Sequence, residues 1–97
     1  DDYGFTILMR ACIQDHIGAV RRIIENGAKI NMSNKYGYTA LMFSCQNRNI
    51  DILKLLMDHN ADTNSSNEYG YTPLHYSCYN QNIEIINYLV EHGSDVN

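Results

Sequence analysis

With 97 residues, 44% hydrophobic and 19% charged, the chain fills one small globular unit and has no room for a deep cleft served by separate substrate and cofactor domains. Its formal charge of −4 is the wrong sign for gripping phosphate backbones, so no nucleic-acid partner is expected. No apolar run nears the roughly 20 residues of a membrane span, and Asp1-Asp2-Tyr3-Gly4 lacks the basic start and apolar stretch of a signal peptide, so no membrane partner is expected either.

Cys12, Cys45 and Cys78 stand 33 residues apart, twice, and that regularity points to internal repeats. Cutting at this interval yields copies 1–33, 34–66 and 67–97 without a gap. Tyr3/Tyr36/Tyr69, Gly4/Gly37/Gly70, Thr6/Thr39/Thr72, Leu8/Leu41/Leu74, the cysteines, Ile17/Ile50/Ile83 and Asn31/Asn64/Asn97 are identical in all three.

In the middle copy, the turn signal Lys35-Tyr36-Gly37-Tyr38 precedes Thr39, a suitable N-cap for a helix from Ala40 to Asn47. A second helix follows Arg48-Asn49, with Asn49 as its cap, Asp51 in the first turn where a carboxylate suits the helix dipole, and an end near Asp58-His59. Gly27, Asn60 and Gly93 follow the second helices, and Gly and Asn best tolerate the left-handed conformation of a C-terminal cap. In the third copy Pro73 follows Thr72, at the first helical position, where a missing N–H costs nothing. Each helix is shorter than the ~12–15 residues an isolated helix needs in water, so stacking must supply the stability.

Helix–turn–helix units with turn-rich connectors at this period resemble the ankyrin repeat, whose consensus D-x-x-G-x-T-P-L-H reads here as Asn67-Glu68-Tyr69-Gly70-Tyr71-Thr72-Pro73-Leu74-His75. Ile83 to Asn97 looks like that family's second helix and its G-A-D-V-N ending. The resemblance implies an all-α fold: an ankyrin-repeat solenoid of three helix-turn-helix repeats joined by hairpin-like connectors, 1–97 forming a single domain that is a segment of a longer array. Six helices in three antiparallel pairs are expected, with the cysteines buried one per repeat. The sequence departs from the family where Ile7-Met9 and Ala40-Met42 replace Pro73-His75, and where Asp15, Arg48 and Gln81 replace the Gly between helices. If the backbone there is left-handed, each costs up to ~1–2 kcal/mol.

The two ends of the stack differ. Where later copies have Phe43/Tyr76, Ile52/Ile85 and Leu55/Tyr88, the first has Arg10, Ala19 and Arg22, a wetted outer flank. The third copy keeps an interior pattern, so Tyr88, Leu89, Val90 and Val96 are expected to lie partly uncovered and to favour self-association through the uncapped C-terminal repeat. The third copy has four acids and no Lys or Arg, and so holds the whole net charge; that charge either keeps the surface soluble or biases it towards basic partners.

Little of this is catalytic. Stacked repeats place equivalent Cα atoms roughly 10 Å apart, beyond the ~7 Å limit for a disulfide, and the long gaps match no zinc spacing. Buried free thiols imply a reducing, intracellular compartment, cytoplasmic or nuclear. His59 and His92 read as exposed helix-end residues, His75 as a hydrogen-bonding partner of its turn by resemblance, and His16 has no nucleophile beside it. No glycine-rich phosphate loop exists, no cofactor is expected, and the chain reads as a non-enzyme.

The informative surface is aromatic. Tyr3 and Phe5, Tyr36 and Tyr38, Tyr69 and Tyr71 flank the connector glycines, and Tyr gives large, stiff contact area at low entropic cost. In ankyrin proteins such connectors and the exposed face of the first helices form the concave surface that grips protein partners. Carried over, this surface comprises Tyr3, Phe5 and Ile13; Lys35, Tyr36, Tyr38 and Gln46; and Glu68, Tyr69, Tyr71 and Tyr79, with Asp2, Gln14, Asn47 and Asn80 beside them. The expected function is binding of a protein partner, with Tyr36, Tyr38, Tyr69 and Tyr71 as central anchors. The alternative is a structural spacer in a larger protein whose activity lies in another domain.

Overall fold

A computed structural model of the protein describes residues 6–47 and 50–97. Among the described residues there are six helices and no strand: α1 (Ile7–Ile13), α2 (Ile17–Glu25), α3 (Ala40–Ser44), α4 (Asp51–Asp58), α5 (Pro73–Tyr79) and α6 (Ile83–Glu91). They pair within each copy, and α1 packs on α3, α3 on α5 and α2 on α4 to give a stack 33 Å long.

Local chemistry starts each first helix in the same way. The hydroxyls of Thr6, Thr39 and Thr72 accept the amides of Met9, Met42 and His75 at 3.0, 3.4 and 3.4 Å, satisfying one of the orphan donors of each helix start. Thr72 alone forms a reciprocal box, its own amide donating to His75 Nδ1 at 3.0 Å. The expected extent of α3 is too long. Its helix ends at Ser44 and its chain turns from Cys45 onward, where the Cys45 amide reaches both Leu41 and Met42 carbonyls at 3.2 Å. That shared bond is the tightening of a final helical turn.

Between the helices, Asp15 and Gln81 take φ of 55° and 57°, the left-handed backbone for which the family uses Gly; Arg48, their counterpart, lies outside the described residues. The next residue caps the second helix: His16 Nδ1 and Asn82 Oδ1 each accept an amide at 3.1 Å, from Ala19 and Ile85. Asn49, expected to cap α4, also lies outside the described residues. The second helices stop where φ turns positive at Gly27, Asn60 and Gly93. There His59 and His92 bond the Leu55 and Tyr88 carbonyls through Nδ1 at 2.9 and 2.7 Å, so both act at helix ends.

The core runs in single file through Met9, Cys12 and Val20 of the first copy, Leu41, Leu53 and Leu56 of the second, and Ile85 and Leu89 of the third. Each such aliphatic side chain contributes about 1.5–3 kcal/mol by leaving water. Asparagines stitch the copies together. Asn31 donates to the Asn60 carbonyl at 3.1 Å and accepts from the Asp62 amide at 2.7 Å, and Asn64 repeats both bonds with Gly93 and Asp95. Asn47 and Asn80 donate to the Cys12 and Cys45 carbonyls of the preceding copies, so their amides serve the stack as well as its surface.

Two expectations about burial are corrected. Cys12 and Cys45 are buried, and burial pushes both thiols up to about 12, but Cys78 is exposed. The register position is the same; α3 lies against α1 and α5 against α3, whereas among the described residues no further helix packs on that side of α5. Leu89, expected to be partly uncovered, is 0% exposed; Tyr88 is half-buried, in keeping with a partly uncovered residue, with Lys54 Nζ 5.5 Å from its ring centre. The residues left open on that flank are Ile83, Val90 and Val96, together with Cys78. At the other end Arg10 and Arg22 are exposed, as the wetted flank requires.

Candidate functional site

Asparagines shape the connectors that carry the aromatic residues. Asn34, buried at the start of the second connector, accepts the amides of Tyr36 and Tyr38 on one side-chain oxygen, both at 3.0 Å, while its carbonyl accepts the Gly37 amide. Asn67 repeats this with Tyr69, Tyr71 and Gly70. Each side chain thus mimics a turn of backbone, and the glycines supply the positive φ, 85° and 79°, that closes it. The two connectors lie one on the other: the Glu68 amide donates to the Tyr36 carbonyl at 2.9 Å, and a Cβ on Gly37 would stand 2.8 Å from Asn67 Cα. Neither asparagine stood out as a site residue in the sequence. The available signal was their place at the first letter of the repeat motif, where the family has Asp.

Behind the stacked connectors is a groove of about 900 Å³ lined by Tyr38, Gln46, Tyr69, Tyr71, His75, Tyr76, Tyr79 and Asn80. Five of the residues expected to bind a partner therefore meet in one place: Tyr38, Gln46, Tyr69, Tyr71 and Tyr79. Ile13, Lys35, Tyr36 and Glu68 lie outside its lining, and Lys35 Nζ sits 5.1 Å from the centre of the Tyr36 ring. Tyr3 and Phe5 lie outside the described residues, as does Asp2.

The rings of the groove hold one another. Tyr38 stacks on Phe43 at 5.5 Å and meets Tyr76 at 6.0 Å; Tyr71 meets Tyr76 edge-on at 5.8 Å, Tyr69 at 6.2 Å and His75 at 5.6 Å. These separations are those of favourable aromatic pairs. Tyr76 is the hub, its hydroxyl accepting from Asn67 Nδ2 at 2.6 Å. Burial, and then its hydrogen bond with Tyr38, pushes that hydroxyl up to about 12, against the lowering effect of Asn67. Tyr76 was legible in the sequence only as an interior flank position paired with Phe43.

The outer rings differ in character from this base. Tyr69, Tyr71 and Tyr79 are 62%, 48% and 85% exposed, while Tyr38 packs against the core. The groove thus has a fixed floor, Tyr38 and Tyr76, and a rim of three solvent-facing tyrosines. Among the described residues, no group of three or more His, Cys, Asp or Glu is placed to hold a metal, and no helix is long and apolar enough to cross a membrane.

Short paired helices stacked in register, with turn-shaped connectors projecting on one side, define a helical repeat solenoid. The family model for ankyrin repeats matches residues 8–97 as three copies, and the chain belongs to the ankyrin-repeat family, whose members are in general protein–protein interaction modules and typically non-catalytic. No curated protein matches the chain.

Proposed function

We propose that this chain binds a protein partner through the groove between its second and third connectors, with Gln46 just after α3 and the exposed end of α5, and performs no chemistry itself. The observation that carries this reading is the convergence of Tyr69, Tyr71 and Tyr79, exposed, on a floor of Tyr38 and Tyr76 within one groove. Exposed aromatic clusters on a rigid frame are the composition of interaction surfaces. Fully buried thiols on Cys12 and Cys45 suit a reducing compartment, so an intracellular setting is part of the proposal.

The test is affinity capture from a lysate with three chains: the parent, Tyr69→Ala/Tyr71→Ala/Tyr79→Ala, and the control Lys29→Ala/Lys54→Ala, all checked for equal melting by circular dichroism. Proteins captured by the parent and the control but lost from the tyrosine variant are the expected result. Equal capture by all three would refute the groove and leave the repeats as a spacer.

A further inference from the structure

Resting on the reading of this groove as the partner-binding surface, we infer that it receives an arginine side chain presented by the partner's segment, held over the tyrosine rings and drawn in by the net negative charge of the third copy. Three observations carry this. First, the rings present faces and edges that are fixed before binding, because Tyr71 and Tyr76 are locked edge-on at 5.8 Å and Asn67 holds the Tyr76 hydroxyl at 2.6 Å. A cation over such a ring is attracted by its quadrupole. Elsewhere in this chain tyrosines already hold cations in this way, with Lys35 5.1 Å from the Tyr36 centroid and Lys54 5.5 Å from that of Tyr88.

Second, the third copy, which forms one side of the groove, carries acids only, while Lys35 on the second connector is held at the Tyr36 ring. From residue 55 to the last residue there are six Asp and Glu and no Lys or Arg. Glu68, next to the rim residue Tyr69, pushes the Tyr69 hydroxyl up by its interaction with it. His75, the one lining residue able to carry positive charge, has Nδ1 turned to the Thr72 amide and hydroxyl at 3.0 and 2.9 Å.

Third, the polar atoms at the groove are matched to a fork of donors. Tyrosine hydroxyls and the side-chain carbonyls of Gln46 and Asn80 are acceptors, and Asn80 has its amide nitrogen committed to the Cys45 carbonyl, which leaves its oxygen for a ligand. A guanidinium is planar, stacks on aromatic faces, sheds water more readily than an ammonium and offers five N–H donors, so arginine fits this set better than lysine.

Random twelve-residue peptides displayed on phage, selected on the intact chain, supply the probe. Clones that bind Tyr69→Ala/Tyr71→Ala equally well are discarded, and the remainder are synthesised with arginine or with its neutral isostere citrulline. The expected result is arginine enriched at one shared position, a loss of roughly tenfold in affinity on changing it to citrulline, and a smaller, salt-dependent loss with Glu68→Gln. Tyrosine-dependent peptides that share no arginine, or that tolerate citrulline, overturn the inference and leave the groove as a binding surface of another specificity. If no clone depends on the tyrosines, the groove reading itself fails, and this inference with it.

Discussion

Replacing Gly37 or Gly70 by Ala separates the strain of a left-handed residue from the contact between connectors. Both glycines have φ near 80°, 85° and 79°, so either alanine carries the left-handed penalty of about 1–2 kcal/mol. At Gly70 nothing lies within 4 Å of the added Cβ, and the cost stops there. At Gly37 the new carbon would meet Asn67 Cα at 2.8 Å and the Asn67 carbonyl carbon and Glu68 nitrogen at 3.3 Å. These are backbone atoms, which cannot swing aside as a side chain can, so the connectors must part. Overpacking of this kind costs about 1–3 kcal/mol, and the strained Glu68-to-Tyr36 hydrogen bond is worth about 0.5–1.5 kcal/mol more. Gly37→Ala should therefore be less stable than Gly70→Ala by roughly 2 kcal/mol, or about 8–16 °C in Tm for a chain of this size. Urea and thermal unfolding followed by far-ultraviolet circular dichroism measure the difference. Equal losses in the two variants would show that the second and third connectors do not touch at Gly37, and the groove they frame would lose its support.

Thiol labelling of the native protein at pH 8 should modify Cys78 quickly and Cys12 and Cys45 slowly. A thiol pushed up to about 12 holds roughly two-thousandfold less thiolate at that pH than an ordinary cysteine of pKa ~8.5, and both are also shielded from the reagent. Peptide mass mapping identifies the labelled residue, and fast modification of Cys12 or Cys45 would contradict the core described above. Self-association through the open flank of the third copy should raise the sedimentation coefficient with concentration in the parent but not in Ile83→Glu/Val90→Glu. A parent that stays monomeric at every concentration would show that the flank does not drive association.

Most of the local structure was legible in the residues, because its causes lie within a few positions of one another. Thr6, Thr39 and Thr72 cap helices whatever they pack against, and Asn60 needs only its own backbone freedom to stop α4. The repeat register, the wetted first flank and the aromatic connectors follow from the same linear reading. What required the tertiary structure is each property set by a neighbour from another copy. Cys12, Cys45 and Cys78 are one residue in one register, yet only the first two are covered, since burial belongs to the helix stacked alongside. Leu89 and Tyr88, adjacent in sequence, point into the core and back towards Lys54, a direction decided by how α6 settles on the stack. Tyr76 joins the groove because Asn67 and Tyr38 reach it from separate connectors. A periodic sequence specifies the unit and its interval; packing between units decides which copies of a residue are buried and which rings meet.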